Sequence, residues 1–327
     1  MSRSKLADAH IDAERSIILE EKEHVESDPE EVLYEYLHAA AYQGTPLGRT
    51  ILGPERNIKT IGSAELRHYI DAHYRPARMA LCAAGGVRHE ELVAAAQAAF
   101  GDLAPGAPAQ ARRRPAFTGA EVRLRDDLMP LAHVAFAFEG CGWRSADFYT
   151  FQVIQAIIGH WSRTAPQAQN SSSRLAEEIA TDRIAHSYTA FHTPYNETGL
   201  FGIKLVSEPE TLDDAMHACI KEFVRIAYQA TDAEVERAKN SVKAALLLSL
   251  DGTSPNAEEI GRQMIAIGRR IPPAEMWARV SSITTADVKR VAQEYCTDTD
   301  FALAAIGQTT NLPDLNILRS WTRKQLV

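Results

Sequence analysis

The chain opens on a long helical pattern. Residues 7–25 contain neither Pro nor Gly, and Ile11, Ile18 and Val25 recur every seven positions as one apolar stripe on a polar rod. Asp28-Pro29-Glu30-Glu31 then reads as a helix restart, with Asp28 as N-cap, Pro at the first helical position, and Val32, Leu33, Leu37 and Ala40 as the buried face. After a loop over 44–54, a helix runs from Ser63, taken as its cap, to about Tyr74. A short apolar strand over 79–84 ends at Gly85-Gly86, and 89–100 is helical again.

Residues 105–115 are Pro, Gly, Ala, Gln and Arg without periodicity, which marks a linker. Beyond it the pattern predicts strands over 121–125 and 133–138 and a helix over 146–159. A short helix near Leu175 and strands over 185–193 and 199–206 follow. Helices over 210–228, 232–250, 256–268, 273–281 and 285–295 lead to a final strand over 301–306 and a short amphipathic tail. The fold class is α+β.

An internal repeat organises these elements. Ser63-Ala64-Glu65-Leu66 followed by Met79-Ala80-Leu81-Cys82-Ala83-Ala84-Gly85 recurs as Thr285-Ala286-Asp287-Val288 followed by Phe301-Ala302-Leu303-Ala304-Ala305-Ile306-Gly307. The offset is 222 residues at both ends, without a gap, and Ile61 and Ile283 match at the same offset. Two homologous domains are expected, with the first copy represented from its middle onward. For equal-sized copies, the counterpart of Glu121 falls about a hundred residues before Met1. The expected division is 1–104 for the later part of the first domain, 105–117 for the linker and 118–327 for a complete second domain.

Composition narrows the function. Of 327 residues, 45% are hydrophobic and 24% charged, the balance of a soluble globular chain, and the apolar runs 79–84 and 244–248 fall far short of the ~20 residues of a membrane helix. A net charge of −8 argues against nucleic acid as a partner, the basic cluster Arg112-Arg113-Arg114 reading as part of the linker. Cys82, Cys141, Cys219 and Cys296 form no CxxC and read as reduced packing residues. The segment MSRSKLADAH has no apolar core, so neither a secretory signal nor a complete mitochondrial presequence is expected.

Glu14 and Glu21 lie two turns apart on one face of the first helix and, with Glu20 and His24, make a dense acidic segment able to offer a metal ligand and its support. Near the same repeat offset the second copy carries Ala238 and Ala245 there. His186 and His192 could share a strand face but lack a third ligand, and His68 and His73 are wrongly spaced for a common helix face. HExxH, HxxEH, GxGxxG, Walker and GxSxG motifs are absent from these 327 residues, so no complete active site is expected in this chain.

Long runs carry a family resemblance. They include Glu14-Arg15, Ile17-Ile18-Leu19-Glu20-Glu21, Asp28-Pro29-Glu30-Glu31-Val32, Tyr36-Leu37-His38-Ala39 and Tyr42-Gln43-Gly44-Thr45-Pro46-Leu47-Gly48-Arg49-Thr50-Ile51-Leu52-Gly53-Pro54. Ala83-Ala84-Gly85-Gly86-Val87, Arg125-Asp126-Asp127, Met129-Pro130-Leu131-Ala132-His133, Leu248-Ser249-Leu250-Asp251-Gly252-Thr253-Ser254-Pro255, Ile260-Gly261-Arg262-Gln263 and Arg269-Arg270-Ile271-Pro272 continue them. Nearly the whole chain thus resembles the mitochondrial processing peptidase family of inverzincin type, in the branch of the β subunits and core protein 1 of the cytochrome bc1 complex.

The resemblance implies two homologous α+β domains, and zinc held in active members by both histidines of HxxEH and a later glutamate. Glu21 matches that third ligand and Glu14 the other acidic position, while HxxEH would belong to the part of the first domain that these residues do not include. Tyr188 and Tyr195 lie on strands that family geometry would turn toward the cleft, as catalytic candidates. Residues 162–170 replace a Gly-rich loop of relatives by Ser-Arg-Thr-Ala-Pro-Gln-Ala-Gln-Asn.

The leading expectation is a mainly structural core subunit of respiratory complex III, peripheral on the matrix side of the mitochondrial inner membrane. The alternative is part of a zinc-dependent presequence peptidase whose HxxEH half lies outside this chain; a free-standing binding protein ranks third. No cofactor is expected in the chain alone, with zinc in the assembled complex. Expected partners are the processing peptidase α or core 2 subunit, a polypeptide supplying the missing half-domain, other complex III subunits and, in the active case, presequence peptides.

Overall fold

The computed structural model describes residues 4–104, 114–164 and 173–324. In chain order these form α1 (Asp8–Ser27), α2 (Pro29–Ala41), α3 (Glu55–Thr60), α4 (Ser63–His73), α5 (His89–Phe100), β1 (Glu121–Arg125), β2 (Ala132–Gly140), α6 (Phe148–Ile158), β3 (His160–Ser162) and α7 (Arg174–Asp182). There follow β4 (Ser187–Pro194), β5 (Gly199–Ser207), α8 (Leu212–Gln229), α9 (Asp232–Leu248), α10 (Thr253–Ala266), α11 (Pro273–Ser282), α12 (Thr285–Cys296), β6 (Phe301–Gly307) and α13 (Leu315–Trp321).

The chain divides into two compact units that do not follow the sequence in two blocks. One gathers 1–26, 50–113 and 246–273; the other gathers 27–49, 114–245 and 274–327. This departs from the expected 1–104 and 118–327 division at two matching places. Helix α2 joins the later unit and α10 the earlier one, a reciprocal exchange of repeat-equivalent helices. The cause is legible in α2: Leu33, Leu37, Ala40 and Ala41 are fully buried, and the surface that buries them is the sheet of the later unit.

That sheet has six strands in the order β1-β6-β2-β5-β4-β3, with β1 parallel to β6 and every other pair antiparallel. Strand β6 is buried at every position, and β2 and β5 at nearly all, because both sheet faces are covered; hence their near-continuous apolar runs. On one face Phe136, Phe138 and Phe201 meet Phe223 of α8 edge-on with centroids 5.2–5.9 Å apart, and Phe301 meets Phe136 and Phe138 in the same way at 5.7 and 5.5 Å. The other face is built from Ala135, Ala137, Ala302, Ala304, Leu200 and Ile306, and its small residues let α2 settle close. Burying Leu33 and Leu37 contributes roughly 1.5–3 kcal/mol each. Gly202 lies where a Cβ would come within 1.8 Å of the Phe136 carbonyl oxygen, so no larger residue fits there without moving β2.

In the earlier unit, Arg15 of α1 donates from Nε and a terminal nitrogen to the carbonyls of Ile58 and Ile61, both at 2.9 Å, tying α1 to the buried Ile58 of α3. Ile11, Ile18 and Val25 are half-buried, the stripe expected. The repeat is visible atom by atom. Gly62 N–H donates to the Glu65 carboxylate as Thr284 N–H does to Asp287, so each helix cap falls one residue before the expected Ser63 and Thr285. Gly85 and Gly307 have φ of +113° and +99°, and the N–H groups of Val87 and Thr309 each donate back to them at 2.8 Å. One expectation fails: residues 79–84 pair with no strand among the described residues, whereas their counterpart β6 is hydrogen-bonded on both edges. A strand exists only through its neighbours, and none of the described residues supplies them.

Candidate functional site

Glu14 and Glu21 are exposed on α1, one face and seven residues apart, or about 10 Å along the helix axis. Glu20 and His24 are exposed beside them. Among the described residues no three His, Cys, Asp or Glu side chains converge on one point. A catalytic zinc needs three protein ligands around an open position, so the donors on these residues do not by themselves fit that metal. Most of the loop at 162–170, with its Gly-free sequence, lies outside the described residues, as do Arg112 and Arg113.

The histidine pairs separate. His186 Nε2 meets the Glu208 carboxylate at 3.0 Å, while His192 stacks on Phe151, rings 4.9 Å apart and tilted 18°, with Nε2 3.4 Å from the Cys141 carbonyl. Burial pushes His192 down to about 4, so it is neutral near pH 7; burial pushes the nearby Cys141 thiol up to about 12. Two neutral groups 3.9 Å apart form no thiolate nucleophile. His73 bonds Arg78 through Nδ1 at 3.0 Å. Cys82, Cys141, Cys219 and Cys296 are all free thiols, and the last three are buried, as packing residues are.

Tyr188 is fully buried; its hydroxyl donates to the Ile158 carbonyl at 2.8 Å and lies 3.1 Å from Ser173 Oγ, the group that caps α7. These contacts engage the hydroxyl inside the core, locking α6 and α7 onto β4. Tyr195 is partly buried at the end of β4, and its hydroxyl is 2.5 Å from His38 Nε2. His38 Nδ1 is 2.7 Å from the Tyr34 carbonyl, which can only accept. The proton therefore sits on Nδ1, and Nε2 accepts from Tyr195.

Two constellations were missed from sequence. Tyr34, His38 and Tyr42 form a stripe at spacing four along α2, a signal present in the sequence, and dock that helix on the sheet. Tyr34 meets Phe191 edge-on, and Tyr42 donates to the Gly199 carbonyl at 3.0 Å beside Thr198, which donates to Glu139. The second is a buried ion cluster. Arg225 grips Glu222 through two 2.7 Å bonds and meets Glu234 at 3.0 Å, while Arg174 meets Glu234 at 3.2 Å. Burial pushes the Glu222 carboxyl up; burial also opposes charge on Glu234, but donors from Thr231 and Arg225 outweigh it and hold that carboxyl down. These groups bind helix α8 to α7 and α9, and they are structural.

Residues 60–242 match the family described as Peptidase M16 inactive domain, and residues 1–55 match Insulinase (Peptidase family M16). The chain is 45% identical over 327 residues to the mitochondrial-processing peptidase subunit beta of Lentinula edodes, covering 98% of this chain and 70% of that protein. It is 44% identical to a probable subunit beta of Arabidopsis thaliana and 42% to subunit beta of Homo sapiens, spanning 61% and 67% of their lengths. A chain of complex III2 from Candida albicans, bound to Inz-5, superposes with a TM-score of 0.86 at 25% identity, over 94% of this chain and 74% of that one. No helix among the described residues is long and apolar enough to cross a membrane. With a family match over 60–242 and 42–45% identity to these β subunits along nearly its whole length, this chain belongs to peptidase family M16.

Proposed function

We propose that this chain is a core-type subunit of mitochondrial respiratory complex III, acting mainly as a scaffold on the matrix side of the inner membrane. The observation that carries the reading is the likeness over 94% of the chain to a chain of complex III2. It is supported by what the residues do: the candidate tyrosines and the half-buried His38 and His192 tie helices to the sheet, leaving Glu14 and Glu21 as the exposed candidates. The partners that fit are a core 2 or processing-peptidase α subunit and further complex III subunits.

A second reading is favoured by the 42–46% identity to processing peptidase β subunits. In it, HxxEH, which these 327 residues do not include, completes the site of a presequence peptidase, Glu21 is the third zinc ligand and Glu14 supports it from two turns away. The test is the assembly purified through a tag on this chain and offered a presequence peptide. A scaffold gives the same result, cleaving or not, with Glu21→Gln as with Glu21. Metal-dependent cleavage abolished by Glu21→Gln would replace the scaffold reading with the peptidase.

A further inference from the structure

The hydroxyl of Tyr195 and the imidazole of His38 meet at 2.5 Å, with their rings edge-on and centroids 6.0 Å apart. Because Nδ1 donates to the Tyr34 carbonyl, Nε2 is an unprotonated base aimed at a phenolic proton. Two fully buried phenols differ in kind. Tyr188 donates to the Ile158 carbonyl and Tyr42 to the Gly199 carbonyl, and a peptide oxygen accepts a hydrogen bond without taking the proton.

Both partners are held in place before any reaction. His38 is fixed on α2 by its bond to Tyr34, one turn back. Tyr195 stands in the turn from β4 to β5, where its N–H donates to the Thr198 carbonyl at 2.7 Å and its carbonyl accepts from Trp143 N–H at 2.9 Å. The Tyr42 ring meets Tyr195 edge-on with centroids 6.3 Å apart. His38 also belongs to the last turn of α2, where the unpaired carbonyls favour a cation. An imidazolium formed there keeps both hydrogen bonds, since each nitrogen then donates, one to the Tyr34 carbonyl and one to the Tyr195 oxygen. Burial raises the Tyr195 phenol above its ordinary value, so the phenolate is disfavoured and the hydroxyl keeps its proton at neutral pH. A phenol in that state gives up an electron readily only when a base takes the proton in the same event, and a base already at hydrogen-bond distance makes this possible.

We propose that Tyr195 and His38 form a one-electron redox site served by a diffusible one-electron oxidant. The oxidant takes one electron from the Tyr195 ring while the phenolic O–H bond breaks and an N–H bond forms at His38 Nε2. The products are a neutral phenoxyl radical, an imidazolium and the reduced oxidant. A one-electron reductant of thiol or ascorbate type, itself oxidised, returns the electron, and the proton comes back from Nε2 to the phenol oxygen. Both side chains are partly buried, which leaves a short path for an electron and shields the radical from collision with other radicals. The site is compatible with a scaffold and with a peptidase subunit alike, and rests on neither.

Electron paramagnetic resonance tests it on the full chain, oxidised by flash-generated ruthenium(III) tris-bipyridine and freeze-quenched. A long-lived tyrosyl signal carrying an exchangeable proton coupling is expected. It should be lost with Tyr195→Phe, and with His38→Gln, whose amide accepts a hydrogen bond but no proton. Tyr69→Phe, which removes a 57% exposed phenol, should leave it unchanged. Isotope-labelled histidine in the unsubstituted chain should alter the coupling, a reading that stands even where a variant fails to fold. The site is overturned by a long-lived signal that survives Tyr195→Phe or His38→Gln in a folded variant. It is equally overturned by a signal in the unsubstituted chain that labelled histidine leaves unchanged, or by the absence of any long-lived signal.

Discussion

Arg225→Met strips Glu222 of its bidentate cation where the carboxylate side chain is only 5% exposed. Glu234 keeps Arg174 and the Thr231 donors, so the damage concentrates on Glu222. Breaking a buried pair on one side costs about 3–5 kcal/mol, because the remaining charge is left desolvated. For a unit of this size that lowers Tm by roughly 6–20 °C. The loss should also depend on pH. Burial already raises the Glu222 carboxyl, so the folded state holds its proton more tightly than the unfolded one, and stability falls as pH rises through the folded value. Without Arg225 that value rises further. Urea unfolding near pH 5 and pH 7 should therefore show the variant recovering on acidification, by up to about 1.4 kcal/mol per pH unit while only the folded state binds the proton. Glu222→Gln with Arg225→Met should restore most of the loss. A single-variant loss below about 1 kcal/mol, or one equal at both pH values, would refute the account of this cluster.

Because burial holds neutral His192 near 4 against its ordinary 6.5, its contribution is complete above pH 6.5 and is lost as pH falls toward 4, by up to about 3 kcal/mol; His192→Phe should flatten that part of the profile measured by urea unfolding. Tyr188→Phe should cost about 1 kcal/mol in denaturant titration and leave assembly unchanged, whereas a catalytic tyrosine would lose activity without losing stability. Glu14→Gln and Glu21→Gln in the isolated chain should shift stability by no more than about 0.5 kcal/mol, and the chelator-washed chain should show no stoichiometric zinc by elemental analysis.

Much of the secondary structure was legible because apolar periodicity and caps are local. Asp28 does accept from Glu30 N–H ahead of Pro29, and the helices from α8 to α12 fall within three residues of their expected bounds. The three-residue β3 and six-residue α3 were too short to carry a period. Residues 79–84 have the composition of a central strand, but pairing is supplied by other segments. The placement of α2 was hidden for the same reason: its stripe says that it packs, and the surface it packs on lies about a hundred residues and more along the chain. Of the site, the exposure of Glu14 and Glu21 on a polar helix could be read directly. The occupation of Tyr188 could not, since its partners Ile158 and Ser173 sit on other elements. The spacing of Tyr34, His38 and Tyr42 was available and pointed to the docking face.

The central claim is membership of complex III as a core-type subunit. Its most direct test is purification of the native assembly through a tag on this chain, with subunit stoichiometry read by quantitative mass spectrometry. This chain is expected in one-to-one ratio with cytochrome bc1 subunits. Recovery as a lone monomer, or only with a processing-peptidase α subunit in an assembly free of cytochrome, would contradict it.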